Sequence, residues 1–364
     1  MVRRRRRVAI LGATGSIGRQ ALEVVDRYPD HFELFGLAAG RRPVERDARY
    51  VIRAGDPDAE ARIEEMVTHP ECDIVLVAIA GSRALQPTLA ALHARKQVAL
   101  ATKEVLVMAG DLVTAAAAPG ALRPVDSEHS AIWQCLWGEA PEAVSRLVLT
   151  ASGGPFWRRE LNDLSSVTVA DALNHPRWSM GPKITVDSAT LMNKGLELIE
   201  AHHLYRLSLD RIDVVVHPQS VVHSMVEFVD GAIKAQLGNP DMRLPIAVAL
   251  AYPERLAGVV PETRLEQMAQ LDFHPLDQQR FPAVAVARAA ARAGTPYPAI
   301  LNAANEVAVE AFLEGALRFV EIVPVVQAAL EGVAPPGSDL DSILTADNAA
   351  REYVRSRLGI NLKA

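Results

Sequence analysis

Between residues 175 and 203 the chain reads HPRWSMGPKITVDSATLMNKGLELIEAHH, a stretch dense in side chains that can hold an anion or a metal. Asn193 and Glu197 are four residues apart and Lys194 and Glu197 three apart, so on a helix an amide, an ammonium and a carboxylate project towards one patch. That trio beside a helix start suits a phosphate held next to a metal. The plainer alternative is an amphipathic helix with a surface Lys–Glu pair. The pattern predicts a short strand over 183–187, with Asp187 or Ser188 capping the helix that follows. Leu191, Leu198 and Ile199 then face a core. His175, ahead of Pro176, is either a phosphate ligand at the site's edge or a structural histidine at a fixed turn.

A second cluster is Asp126-Ser127-Glu128. In an extended segment, alternation puts the two carboxylates on one side, where they repel unless a cation or a proton lies between them. A hard divalent ion, Mg²⁺ or Mn²⁺, is the simple answer, with Glu197 as a third ligand brought in by folding. The competing reading makes Asp126 or Ser127 the N-cap of a helix beginning at Ala131. Ser152, followed by two glycines and a proline, can offer a hydroxyl and free amides to an anion, or simply turn the chain. Trp157 and Trp178 suit either a lid over a ligand or a buried core.

The elements that must position these groups begin with a strand at 7–11, a turn G-A-T-G-S-I-G over 12–18, and a helix from 16 to about 27. Strand, glycine turn and helix form the dinucleotide-binding opening, with amides at the helix start facing a pyrophosphate. The spacing G-x-x-G-x-x-G departs from the usual G-x-G-x-x-G. A second strand, 32–38, ends in Ala39-Gly40-Arg41-Arg42. Two guanidinium groups stand where a free ribose 2′-hydroxyl would want an acid, so NADP is preferred over NAD. Helices are predicted at 44–54, 58–68, 85–94 and 105–118, and strands at 72–80 and 97–101. Thr102-Lys103-Glu104 then lies at a strand's carboxyl end, where open α/β sheets bind ligands. Further strands are expected at 145–150 and 211–217, a hairpin at 221–229 and 232–237 turned by Asp230-Gly231, and a helix at 242–251. After a proline-rich stretch to about 276 come helices at 283–293, 299–314, 318–332 and 338–358.

At 364 residues the chain is long for one core. A net charge of −6 and a pI near 6.0 give no overall nucleic-acid footprint. The run Arg3–Arg7 reads as a solvated lead-in to the first strand, too close to Gly12 to open a signal peptide. No stretch approaches the roughly 20 apolar residues of a membrane span. Two distant cysteines, Cys72 and Cys135, exclude a disulfide framework and fit a reducing, cytoplasmic setting.

Through GATGSIG, PVDSEHSA, ASGGPF, NHPRWSMGPKITVDSATLMNKGLE, HPQS, MRLPIA and LNAANEVA, in that order along the whole chain, the sequence resembles the 1-deoxy-D-xylulose 5-phosphate reductoisomerase family. The resemblance implies an NADPH-binding Rossmann-like domain over 1–125, an α/β catalytic and dimerisation domain over 126–252, a linker over 253–277 and a C-terminal helical bundle over 278–364. It implies that Thr14, Gly15, Ser16, Ile17, Gly40, Arg41, Arg42, Thr102, Glu104 and Gly181 touch NADPH, and that Asp126, Glu128 and Glu197 hold one Mg²⁺ or Mn²⁺. Lys103, Ser127, Glu128, Ser152, His175, Ser188, Asn193, Lys194 and Glu197 would meet the substrate, with Trp178 and Met180 in a loop that closes over it. Lys103, Glu128 and His175 are the implied catalytic groups. The implied reaction is a metal-assisted rearrangement of a ketose phosphate followed by hydride reduction, in a homodimer that engages neither nucleic acid nor membrane.

The family's usual Asn-Lys-Glu-Ser is here Thr102-Lys-Glu-Val105, which puts the carboxamide contact at 102 in doubt, and two arginines follow Gly40 where one basic and one polar residue are usual. The competing functions are a metal-independent NADP dehydrogenase without rearrangement and an NADPH-sensing regulator without turnover. The acidic trio argues against both.

Overall fold

A computed structural model describes residues 4–40, 44–175, 180–268, 270–334 and 337–360. The chain divides into two compact units: one from Met1–Val105, Asp111–Trp137 and Asp241–Thr263, the other from Leu106–Gly110, Gly138–Pro240 and Arg264–Ala364.

In the first unit, β1 (Arg6–Leu11), α1 (Ser16–Arg27), β2 (Phe32–Ala39), β3 (Tyr50–Arg53), α2 (Ala59–Thr68), β4 (Ile74–Val77), α3 (Leu85–His93), β5 (Gln97–Leu100), α4 (Glu104–Ala116, whose Leu106–Gly110 group with the second unit), β6 (Leu122–Pro124) and α5 (Ser127–Cys135) follow one another. The strands form a parallel sheet in the order β3-β2-β1-β4-β5-β6. This is the doubly wound dinucleotide-binding order, whose direction reverses between β1 and β4. β4 is apolar throughout because helices cover both faces of such a sheet. On α1, Gly18, Ala21, Leu22, Val24 and Val25 are buried at helical spacing.

One expected helix is a strand instead. Residues 50–53 pair parallel to β2 as β3, and no regular element precedes them from 44. Tyr-Val-Ile has strong strand character, and Gly36 on β2 lets Tyr50 and Met66 approach so closely that a Cβ there would lie 2.8 and 2.5 Å from them. The arginine run is also less solvated than expected. Arg4 and Arg5 pair with Asp73 and Glu33 at the surface. Arg6, however, donates to the carbonyls of Leu250 (2.6 Å) and Tyr252 (3.0 Å), and Arg123 to that of Ala249 (2.8 Å). Two guanidinium groups thus close the carbonyl end of the helix at 243–251, where its dipole favours positive charge.

The second unit contains β7 (Val144–Ala151), α6 (Val169–Leu173), α7 (Pro182–Thr190), α8 (Met192–Tyr205), β8 (Ile212–Val216), β9 (Val222–Phe228) and β10 (Ile233–Leu237). After α9 (Arg243–Ala251), which belongs to the first unit, it continues with β11 (His274–Pro275), α10 (Ala283–Ala293), α11 (Tyr297–Leu313), α12 (Ile322–Gly332) and α13 (Leu340–Leu358). Its sheet runs β10-β9-β7-β8-β11; β7 and β8 are parallel and the other pairs antiparallel. α10 packs along α8, and α11 carries α12 and α13 while also touching α7. α11 is buried nearly all round, the mark of a helix at the centre of a bundle.

The expected strand over 183–187 is the body of α7. Gly181 caps it and Pro182 occupies the first turn, where a missing amide costs no hydrogen bond. Thr185 to Thr190 are all buried, and packing against α6, α8 and α11 overrides the strand preference of Ile-Thr-Val. Asp187 and Ser188 therefore lie within α7 and cap nothing. The break comes at Leu191, in the left-handed region (φ 61°, ψ 15°), which separates α7 from α8. A bulky residue there is strained, by about 1–3 kcal/mol.

Candidate active site

In the first unit the glycine turn leaves β1 at the topological switch point. Gly12 has φ +90°, and a Cβ on it would lie 2.3 Å from the Ala78 carbonyl oxygen. A Cβ on Gly18 would lie 2.2 Å from the Gly12 carbonyl oxygen. Both positions need glycine, and the packing they allow aims the start of α1 at the strand ends. Thr14, Gly15, Ser16 and Ile17 form that start, with Gly15 as N-cap. The Gly40 amide, at the end of β2, donates to Thr14 Oγ1 at 3.4 Å. This cradle of backbone amides and missing side chains fits a pyrophosphate. Arg41 and Arg42 lie outside the described residues.

Thr102 is buried, and its hydroxyl donates to the Ile79 carbonyl at 2.7 Å, stitching the ends of β4 and β5. The hydroxyl proton is therefore committed within the protein. Glu104 opens α4. Lys103, buried beside it, reaches Asp126 Oδ2 at 3.0 Å.

At Asp126 the cap reading holds and leaves the metal reading open. This residue is the N-cap of α5, and its carboxylate accepts the Glu128 amide at 3.1 Å, so the two acids do not owe their nearness to an extended strand. Oxygens of Asp126 and Glu128 nonetheless lie within 4.8 Å of one another. His129, fully buried, reaches Asp126 Oδ1 at 3.0 Å, and Ser127 Oγ donates to Glu128 Oε2 at 2.5 Å. Two carboxylates oriented by an ammonium, an imidazole and a hydroxyl give hard oxygen donors with their charge partly offset. That donor set suits Mg²⁺ or Mn²⁺.

In the second unit, Gly153 and Gly154 have φ of +84° and +66° and fold the chain back over Ser152, whose Oγ accepts the Gly154 amide at 3.2 Å. Ser152 Oγ also lies 3.0 Å from His175 Nε2. Burial holds His175 below its ordinary imidazole value, so at neutral pH this contact is a neutral hydrogen bond. A Cβ on Gly154 would come within 2.6 Å of the Ser188 carbonyl oxygen, so the Ser152 turn sits directly on the last turn of α7.

Beyond Leu191, the first turn of α8 presents Asn193 and Lys194. Asn193 Nδ2 donates to Glu197 Oε1 at 2.5 Å, and the Lys194 ammonium pairs with Glu197 Oε2. Lys194 and Glu197 are both almost wholly buried, which an ion tolerates only with partners. Ser188 thus stands in the last turn of α7 under the Ser152 turn, which His175 also meets, and Asn193 and Lys194 open α8 just beyond the strained junction. Met180 and Gly181 precede α7, and nothing lies within 4 Å of a Cβ built on Gly181. Trp178 lies outside the described residues. Trp157 packs against His274, with Arg158 over its ring.

Sequence reasoning passed over three neighbours and set aside a fourth, His223. His129 follows Glu128 directly, where a helical i,i+3 step from the cap reaches Asp126. Glu200, 1% exposed, stands one turn beyond Glu197, and the E-x-x-E spacing was a visible signal. His223 had no ligand spacing to betray it. Burial, augmented by the Lys194 charge, lowers it to about 4. Asn305 of α11 donates to Asp187 Oδ1 at 2.7 Å, a pairing 118 residues apart that no local pattern announces.

A family model described as 1-deoxy-D-xylulose 5-phosphate reductoisomerase matches residues 8–57 and 54–110, one described as that enzyme's C-terminal domain matches 122–205, and a DXP reductoisomerase C-terminal domain matches 237–353. The 1-deoxy-D-xylulose 5-phosphate reductoisomerase of Rhodococcus jostii is 51% identical over 372 residues, spanning 96% of this chain and 93% of the relative. That of Symbiobacterium thermophilum is 48% identical, spanning 96% and 98%. Among solved structures, the Zymomonas mobilis enzyme in complex with NADPH aligns with a TM-score of 0.90 at 39% identity, covering 98% of this chain and 99% of that one. A DOX-P reductoisomerase in complex with NADPH, fosmidomycin and magnesium aligns at 0.89 and 39% identity, covering 97% and 98%.

Proposed function

The chain belongs to the 1-deoxy-D-xylulose 5-phosphate reductoisomerase family, and from that premise we infer its activity and the division of labour among its residues. It is an NADPH- and divalent-metal-dependent enzyme that rearranges and reduces 1-deoxy-D-xylulose 5-phosphate to 2-C-methyl-D-erythritol 4-phosphate, in the non-mevalonate route to isoprenoid precursors. The observation that carries the reading is a whole-length match to this family in a chain whose doubly wound domain has a glycine cradle at its switch point.

By role, residues 1–125 bind NADPH, 126–252 bind metal and substrate and dimerise, 253–277 link, and 278–364 form the helical domain. Thr14 to Ile17 and Gly40 offer amides to the NADPH phosphates, Arg41 and Arg42 take its 2′-phosphate, and Thr102, Glu104 and Gly181 line the rest of the cofactor. Asp126, Glu128 and Glu197 hold the metal, which the oxygen donor chemistry of the three carboxylates favours. When bound, the ion supplies Lewis acidity towards the substrate's carbonyl and NADPH supplies the hydride for the rearranged aldehyde.

The chain's own residues do the remainder. Ser152, Ser188, Asn193, Lys194 and His175 grip the substrate phosphate and so anchor the molecule away from its reacting carbons, turning binding energy into orientation. Lys103 and Ser127 hold Asp126 and Glu128 in place and face the substrate's oxygens, and Lys103 and Glu128 are the groups positioned to move protons. Trp178 and Met180 close over the bound substrate and exclude water. The enzyme works as a homodimer in the cytoplasm. The family resemblance supports the dimer, and the reduced, buried Cys72 and Cys135 agree with that compartment. Among the described residues no helix is long and apolar enough to cross a membrane.

The test is NADPH oxidation with 1-deoxy-D-xylulose 5-phosphate, after EDTA treatment and again with Mg²⁺ or Mn²⁺ restored. Activity is expected only with metal. Glu197→Gln is expected to lower turnover by about a thousandfold or more, the scale of losing a group that acts in the transition state, while NADPH binding stays near normal. Near-normal turnover in that variant would remove Glu197 from the metal, and metal-independent activity would remove all three ligands.

A further inference from the structure

α7 carries Ser188 in its last turn, and one polar tie joins that turn to the C-terminal helices. Asp187 is 1% exposed, and each of its oxygens has a donor. Lys183 Nζ lies 2.9 Å from Oδ2, and Asn305 Nδ2 donates to Oδ1 at 2.7 Å. Lys183 sits on the same helix, four residues back, so that pair cannot fix α7 against anything else. Asn305 belongs to α11 and can.

α11 is itself held from behind. One turn before Asn305, Asn302 Nδ2 donates to Glu306 Oε1 at 3.0 Å. Glu306 Oε2 receives Arg351 of α13 at 2.6 Å, and Arg351 forks onto both oxygens of Asp347 at 2.7 and 3.1 Å. Asn302 and Asn305 are fully buried, and the Oδ1 of each meets no donor among the described residues. Two buried amides on one stripe, each with an acceptor unmet, are costly to fold. Stability alone would favour apolar side chains there, so their presence points to a requirement other than stability.

We propose that Asn305 is a positioning residue for the substrate-phosphate grip: by tying Asp187 to α11 it fixes the rotation of α7 and hence the placement of Ser188 against Asn193 and Lys194. The proposal rests on the functional reading above, in which those three side chains take the phosphate. Asp187 and Ser188 are adjacent, so they point about 100° apart around the helix. With Asp187 held towards α11, the Ser188 backbone carbonyl lies against the Gly153–Gly154 turn, so a rotation of α7 also moves Ser188 relative to Ser152, which serves the same anion in that reading. The junction at Leu191 is strained and transmits any rotation of α7 directly into the relation between Ser188 and the first turn of α8. Because Cα atoms lie about 2.3 Å from a helix axis, a rotation of only 10–15° moves them by about half an ångström, which is the tolerance of a working site.

The experiment compares the full-length wild type with Asn305→Asp, Asp187→Asn and the double exchange Asp187→Asn/Asn305→Asp. It reads kcat, KM for 1-deoxy-D-xylulose 5-phosphate, KM for NADPH and the inhibition constant of inorganic phosphate. Asn305→Asp sets two carboxylates against each other. It is expected to raise the substrate KM and the phosphate inhibition constant together, by about tenfold, with kcat within about threefold and the NADPH KM unchanged. The double exchange restores an amide–carboxylate pair and is expected to recover most of the loss. Asp187→Asn keeps the volume without the repulsion, should be milder, and serves should Asn305→Asp not fold. Unchanged substrate KM and phosphate inhibition in Asn305→Asp or Asp187→Asn would overturn the proposal. So would parallel losses in kcat and NADPH binding, or a double exchange no better than the single. A wild type that did not oxidise NADPH with this substrate would sink the functional reading instead, and the two failures are told apart by that control.

Discussion

The two anion grips proposed for the molecule are built in opposite ways. At the start of α1 the grip is backbone: glycines at 12 and 18 remove atoms so that strands, turn and helix close on one another and leave amides pointing outward. At the junction of α7 and α8 the proposed grip is side chain: Ser188 lies in the last turn of α7 and Asn193 and Lys194 in the first turn of α8, on either side of the strained break at Leu191. A backbone grip recognises any phosphate that fits and is broken by adding atoms. A side-chain grip chooses its ligand by hydrogen-bond number and charge and is broken by removing them. A cofactor shared among many enzymes suits the first, and a substrate particular to one enzyme suits the second.

The strongest test of this contrast is Gly18→Val. Its Cβ would lie 2.2 Å from the Gly12 carbonyl oxygen and 2.6 Å from the Ala13 Cα, contacts that neither backbone can yield without moving α1 off the turn. NADPH affinity, followed by the cofactor's fluorescence, is expected to fall by about a hundredfold or more, the scale of a misplacement near 1 Å. Phosphate inhibition at the substrate site, measurable as thermal stabilisation by inorganic phosphate, should survive in the fraction that folds. NADPH binding within a few-fold of wild type would mean that the cofactor's phosphates are held elsewhere.

Ser188→Ala probes the other grip by taking away a single oxygen. The residue is mostly buried and caps no helix, so the fold should be indifferent. A hydrogen bond to a charged partner contributes about 1.5–3 kcal/mol, so the substrate KM is expected to rise roughly tenfold to a hundredfold. The NADPH KM should stay put. A change confined to NADPH would reverse the assignment of the two grips.

The same contrast explains what could be read in the amino-acid sequence. The glycine cradle was legible because backbone grips depend on local spacing: α1 begins at Ser16 as expected, and β1, β2, β5, α3 and the four C-terminal helices fall close to their expected places. α7 was misread as a strand because Ile-Thr-Val has strand propensity and its helical state is imposed by burial among α6, α8 and α11. β3 was misread in the other direction, since its place at the sheet edge depends on Gly36 fourteen residues earlier. The Asn193–Lys194–Glu197 spacing gave the right face of α8, because an i,i+3/i+4 set is local. The Ser152–His175 contact, His223 beside Lys194 and Asn305 on Asp187 join distant segments, and only the fold brings them together.

The finest test is a substitution expected to do almost nothing. Gly181 stands immediately before α7 and is assigned to the cofactor by family resemblance, yet it lacks the features that make Gly12 and Gly18 indispensable. Its φ is −64°, an ordinary value for any residue, and a Cβ built on it meets no atom within 4 Å. Alanine is a poorer N-cap than glycine, a loss of about 0.5–1 kcal/mol, but it also restricts the unfolded chain by a similar amount, so stability should barely move. If NADPH meets the backbone at 181, Gly181→Ala leaves both KM values and kcat within about twofold, because the amide and carbonyl remain. If the cofactor instead lies against the bare Cα, the added methyl group has no room once NADPH is bound, and the NADPH KM alone climbs. A tenfold rise would therefore place Gly181 with Gly12 and Gly18 as a position where the absent side chain is the binding feature, and the boundary between the two grips would have to be redrawn at the start of α7.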